Sequence, residues 1–182
     1  LIAGTLAPGS GLVQIGAGVR IGVHAQEQET VDLDQSAFEQ ARAVSNLSET
    51  DVRTFLHKFL FSGDLALAPA RELSYGERSR LALALLVIQG ANLLLLDEPL
   101  NHLDLDSREQ FERALQRYEG TAISVLHDRR AIERVATRTI AIEHGRLIDS
   151  ERDYAGARPP KTASSKYLNQ QSTSSNPISR SH

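Results

Sequence analysis

The stretch Leu93-Leu94-Leu95-Leu96-Asp97-Glu98-Pro99 constrains this chain more than any other. Four consecutive leucines are too few for a typical helix, and Pro99 lacks the amide that would carry a helix past the two carboxylates. The run predicts a short strand buried on both faces, as in a parallel sheet. Ligands of open α/β sheets bind in the crevice outside the carboxyl ends of the strands. Asp97 and Glu98 lie at such an end and are candidate site residues.

A chain of 182 residues can hold one domain, or one domain with an attached lobe. Its 41% hydrophobic and 24% charged content is that of an ordinary globular protein. No apolar run approaches the length of a membrane span, and the N-terminus has no signal-peptide pattern, so a cytoplasmic location without membrane insertion is expected. The formal charge of −3 gives no nucleic-acid footprint. Absence of cysteine excludes disulfides and thiolate metal sites. Methionine is absent as well and the chain opens on Leu1, so a missing upstream segment is expected.

Leu1-Ile2-Ala3 before Gly4 reads as the last turn of a helix. Leu12 to Ile15 and Val19 to Val23, around Gly16-Ala17-Gly18, read as strands of a hairpin or meander. His24-Ala25-Gln26-Glu27 is polar and is expected to leave the sheet. Ser36 is a candidate cap for a short helix with Phe38 and Ala41. Ser48 and Asp51 precede Val52, Phe55, Leu56 and Phe59 at helical spacing, closed by Gly63. Ser74 and Glu77 have the spacing of a capping box, so a buried helix should run from there to Gly90. Together these define a helical lobe over about residues 28–90.

After the acidic strand, a helix with Phe111, Ala114, Leu115 and Tyr118 on one face should start near Asp106 or Ser107 and end before Gly120. Thr121 to Leu126 is a second apolar strand, and His127-Asp128 at its end echoes Asp97-Glu98. Ala131, Ile132, Val135 and Ala136 suggest another short helix. Thr139 to Glu143 and Arg146 to Asp149 flank His144-Gly145 as a hairpin. Residues 1–150 thus form one partial domain. Residues 151–182, rich in Ser, Asn, Gln, Thr and Pro, form a disordered polar tail.

Taken together, these motifs resemble an ATP-binding-cassette ATPase, most closely of the ABC-F family, over Leu1 to about Asp149. The resemblance identifies Gln26 with the Q-loop, Leu73-Ser74-Tyr75-Gly76-Glu77 with the signature, and Leu93 to Glu98 with Walker B. It further matches Asn101-His102-Leu103-Asp104 to the D-loop and His127 to the switch histidine. It implies an α/β P-loop NTPase-like nucleotide-binding domain, N-terminally truncated, with a parallel-strand core and a helical lobe.

The chemistry suits these residue types. A carboxylate such as Asp97 can orient the ligands of Mg²⁺ at nucleotide phosphates, and Glu98 can polarise the attacking water as a general base. His127 can donate to a γ-phosphate oxygen. Gln26 could complete the Mg²⁺ shell or sense the nucleotide. Ser74, Tyr75, Gly76 and Glu77 open a helix whose N-terminus favours an anion; a plain capping box needs no ligand, and both readings stand locally. In the resembled family the signature acts on ATP held by the other nucleotide-binding domain, and Asn101 to Asp104 run along that interface. Asn101 to Asp104 read equally as a loop turning into the next helix. His24, His57, His102 and His144 show no metal-ligand spacing.

The sequence departs from the family pattern in two ways. It contains no G-x-x-x-x-G-K-[ST] phosphate loop, and Leu100 and Leu126 stand where threonine and serine are usual. The resemblance therefore implies ATP hydrolysis with Mg²⁺ by the intact parent, a second nucleotide-binding domain as partner, and a ribosome-associated role in translation or antibiotic protection. Alone, the chain is expected to be inactive. An ATP-binding subunit of a membrane transporter and a non-catalytic pseudo-cassette are the alternatives.

Overall fold

The leucine strand is the centre of a three-stranded parallel sheet in the computed structural model, which describes residues 1–24 and 30–151. Strand β1 (Ile21–His24) and strand β3 (Thr121–Val125) flank β2 (Leu93–Asp97), with Ile21 opposite Leu93 and Leu93 opposite Thr121. Parallel neighbours need crossover connections, which the helices between them supply. Those helices are α1 (Ala37–Ala43), α2 (Glu49–Lys58), α3 (Asp64–Leu67), α4 (Tyr75–Ile88) and α5 (Leu105–Gln116), with a 3₁₀ turn over Ala70–Glu72. Helix α6 (Arg129–Val135) follows β3.

The helix starts follow their capping chemistry. Ser36 and Ser74 each accept a bond from the amide three residues on, while Glu39 and Glu77 reach back to the capping amides, completing two reciprocal boxes. Ser48 caps α2 through the Asp51 amide. Helix α4 is apolar on most sides and is buried from Leu81 through Leu85, where it packs on the sheet and on α5. Gly90 ends it with φ +92°, a left-handed turn that glycine adopts without strain.

Only one face of the sheet is covered by the helices described. Leu94 and Leu96 are 0% and 2% exposed, whereas Leu93 and Leu95 are half-buried and Val23, Ile123 and Val125 are exposed. The expectation of burial on both faces thus holds for one face only, because α4 and α5 both pack on the side of Leu94. Gly22 lies on that side, and a β-carbon there would come within 2.9 Å of Ala91 and 3.3 Å of Leu86.

Several local expectations differ from the structure. Residues 12–15 form no strand, and β1 pairs in parallel with β2, so the expected hairpin is replaced by a crossover. Leu12 is 85% exposed, too little buried to anchor a strand. Leu1 to Gly4 is a single turn, with the Gly4 amide on the Leu1 carbonyl at 2.9 Å. His24 does not leave the sheet: it is the last residue of β1 and is buried against α4 and α5. Gly63 opens α3, whereas Leu60, at φ +64°, is the left-handed residue after α2.

The described residues fall into two compact units, divided between Ala136 and Thr137. In the second, β4 (Arg138–Glu143) and β5 (Arg146–Glu151) pair antiparallel, with Glu143 opposite Arg146. His144 and Gly145 both have positive φ, the backbone of a two-residue type I′ turn that matches strand twist. No helix among the described residues is long and apolar enough to cross a membrane.

Candidate nucleotide site

The carboxyl ends of β2 and β3 bring Asp97-Glu98 and His127-Asp128 together. Asp97 pairs with Val125 across the sheet, so residues 97–98 and 127–128 leave it side by side. Asp97 is exposed at the strand end. Glu98 turns sharply: its φ is +44°, a region non-glycine residues seldom enter. Its amide donates to the Val125 carbonyl at 3.2 Å and its carbonyl accepts the Asn101 amide at 3.0 Å, bonds that hold the turn. Strain maintained in this way is found where a side chain must be aimed.

That turn directs Glu98 at His127. Oε1 lies 2.8 Å from Nε2 of His127, and Oε2 accepts from the Asn101 amide group. A carboxylate only accepts, so the proton of this contact sits on Nε2. Glu98, Leu100, Asn101, Arg108 and residues 125–128 line a small cavity of about 30 Å³, room for a water molecule. Leu100 is buried and Leu126 packs against the core, so the two leucines form an apolar side of this cavity.

Arg108, in the first turn of α5, spans the two loops. It donates from Nε to the Leu103 carbonyl at 3.2 Å and from Nη1 to Oδ2 of Asp128 at 3.1 Å. Oδ1 of Asp128 accepts the Arg130 amide at 2.8 Å and caps α6. Sequence reading missed Arg108 because helical spacing places it on an ordinary charged face. It also missed Asn101 as the partner of Glu98. The signal for Asn101 was present in its position three residues beyond Glu98, with Pro99 between them at a turn.

Asp104 is the N-cap of α5, accepting the Ser107 amide at 2.8 Å, so the helix starts earlier than at Asp106 or Ser107. That amide, and next the Ser107 hydroxyl, hold the Asp104 carboxyl below the usual aspartate range. The signature turn lies against the same helix start. A β-carbon on Gly76 would fall 2.3 Å from Oγ of Ser107, so glycine is what lets α4 approach α5 here. Ser74 and Glu77 are engaged in the capping box, and Tyr75 is 37% exposed. Gln26 lies outside the described residues.

His24 bonds the Ser79 carbonyl at 3.2 Å and stands edge-on to Phe111 at 5.8 Å, tying β1 to α4 and α5. Burial lowers its pKa below the ordinary value, with the Ser79 carbonyl acting in the opposite sense. It belongs to the packing beneath the site.

The donor set suits a hard cation. Mg²⁺ binds through one or two carboxylates plus phosphate oxygens and waters, and the exposed Asp97 carboxylate is a donor of that type. Among the described residues no group of three or more His, Cys, Asp or Glu could hold a metal without such help.

A parallel sheet with a buried helix behind it, an acidic pair at one strand end and a histidine at the next define an ATP-binding cassette. The sequence model described as "ABC transporter" matches residues 1–101, and the chain belongs to that family. Its relatives include ABC-F proteins. It is 44% identical over 151 residues to the putative ATP-binding protein YdiF of Bacillus subtilis, covering 82% of this chain and 24% of that protein. It is 37% identical over 129 residues to ABC transporter F family member 5 of Arabidopsis thaliana, covering 70% and 19%. The chain thus spans about a quarter or less of the length of these relatives. Among solved structures, the archaeal ribosome recycling factor aABCE1 in complex with the stalk protein aP1 superposes with a TM-score of 0.58 at 27% identity, covering 79% of this chain and 29% of that one.

Proposed function

We propose that this chain contributes the Walker B, signature and switch elements of an ABC-F ATPase, which binds and hydrolyses ATP between two nucleotide-binding domains. The observation that carries the reading is the 2.8 Å contact between Glu98 and His127 at the ends of adjacent parallel strands. The ABC-F relatives favour this branch over a transporter subunit.

Asp97 would hold Mg²⁺, with Gln26 as a further oxygen donor, and the ion when bound would neutralise charge at the β and γ phosphate oxygens. Glu98 takes a proton from the attacking water, which its position beside the small cavity allows. His127 carries its proton on Nε2. When that proton turns from Glu98 to a phosphate oxygen, it marks the presence of the γ-phosphate and leaves Oε1 of Glu98 free for water. Ser74, Tyr75, Gly76 and Glu77, with Asp104, face the nucleotide of the second domain. The sequence contains no G-x-x-x-x-G-K-[ST], so it does not itself supply that phosphate cradle and its lysine.

The test is ATP hydrolysis by the full-length protein alongside nucleotide binding by the isolated chain. Magnesium-dependent phosphate release by the former and no ATP-induced rise in melting temperature of the latter are expected. A rise at millimolar ATP would contradict the expectation that this chain, lacking that loop, does not hold the nucleotide alone. Ribosome association is proposed from the family alone, and co-sedimentation of the full-length protein with ribosomes in the presence of ATP checks it.

A further inference from the structure

We propose that Arg108 is a positioning residue that locks the loop bearing Glu98 and Asn101 to the loop bearing His127. Four contacts, with the chain between them, close a ring, and a fifth braces it. Glu98 bonds Asn101 in its own turn, Leu103 follows in that loop and accepts from Nε of Arg108, and Nη1 of Arg108 bonds Asp128. Asp128 is fixed by the Arg130 amide, and the adjacent His127 returns to Glu98. Arg108 lies in α5 and bonds both loops, so it references them to that helix.

The exposure of these groups separates geometry from stability. The His127 side chain is 74% exposed, so packing does not set its direction. The Arg108 and Asp128 side chains are 35% and 43% exposed, and an ion pair that open to solvent adds little to folding. What the pair supplies is direction. The guanidinium presents its donors as a rigid planar fork, reaching a carbonyl and a carboxylate at once; an ammonium is a point charge and cannot fix both.

The effect on turnover rests on the ATPase reading above, whereas the tether itself does not. Arg108→Met and Arg108→Lys in the full-length protein are compared with the parent in steady-state ATP hydrolysis and in amide hydrogen exchange. For Arg108→Met, kcat should fall about tenfold or more with KM for ATP within about twofold, because small misplacements of a reacting group are costly. Melting should stay within about 3 °C. Exchange over residues 126–130 should quicken while that of β2 is unchanged. Arg108→Lys, which keeps the charge, should recover less than half of the lost turnover.

Unchanged exchange over residues 126–130 in Arg108→Met overturns the tether. Quickened exchange with unchanged kcat, or a loss recovered fully by lysine, overturns the positioning role. If the parent itself hydrolyses no ATP, the ATPase reading falls and the exchange comparison still decides the tether.

Discussion

Ser107 occupies the space that a β-carbon on Gly76 would need, its Oγ lying 2.3 Å and its Cβ 2.4 Å from that position. The first turn of α4 and the first turn of α5 are therefore in backbone-level contact, and the signature turn is held beside the Asp104 cap. Gly76→Ala should destabilise the protein by about 1–3 kcal/mol, the usual cost of overpacking. Ser107→Gly in the same background should restore most of it, since it removes the two nearest atoms and leaves the next, the Ser107 Cα, at an ordinary 3.5 Å. Thermal or urea unfolding of the two variants measures this. A Gly76→Ala protein of unchanged stability would show that the helices separate freely at this point.

The capping boxes make a separate expectation. Ser74→Ala removes the acceptor for the Glu77 amide and should cost about 0.5–2 kcal/mol, with Ser74→Asp close to the parent. Chemical denaturation reads the difference. Equal stability of the alanine and aspartate variants would mean that the cap contributes nothing.

Stability should depend on pH through His24. Burial holds its folded-state pKa below the ordinary 6.5, so the unfolded chain binds the proton more readily. The contribution is complete above about pH 6.5 and is lost as pH falls below that value toward the folded-state pKa. His24→Phe should flatten the stability profile of the protein between about pH 5 and 7 relative to the parent. A profile equally steep in both proteins would assign the dependence to other groups.

These expectations vary in how far they could be read from residues alone. The β2 strand, the Ser74 capping box and the hairpin turn at His144-Gly145 were legible because each is fixed by local chemistry: Pro99 after the leucines, Ser74 and Glu77 three apart, and two residues between alternating runs. At Ser36 the cap was legible but its reciprocal bond from Glu39 was not. The pairing of β1 with β2 was not legible. Glycines between short apolar runs suggest a hairpin, yet the partner of Ile21 is Leu93, 72 residues on, and only packing against α4 selects it. His24 failed for the same reason. A polar residue beside a polar loop reads as exposed unless Phe111 and Ser79 are known to surround it. At the site, strand-end position made Asp97 and Glu98 candidates and the family resemblance added His127. The bonds of Asn101 to Glu98 and of Arg108 to Leu103 and Asp128 depend on a turn and a helix start whose geometry residue type does not encode.

Hydrolysis by Glu98→Gln in the full-length protein is the most direct measurement of the proposed chemistry. Glutamine keeps the shape and an acceptor oxygen but cannot take a proton from water. Turnover should fall by about a hundredfold or more while ATP stays bound, since a positioned general base contributes about 10²–10⁴ in rate. Turnover within about twofold of the parent would remove Glu98 as the base, and with it the role assigned to the ends of β2 and β3.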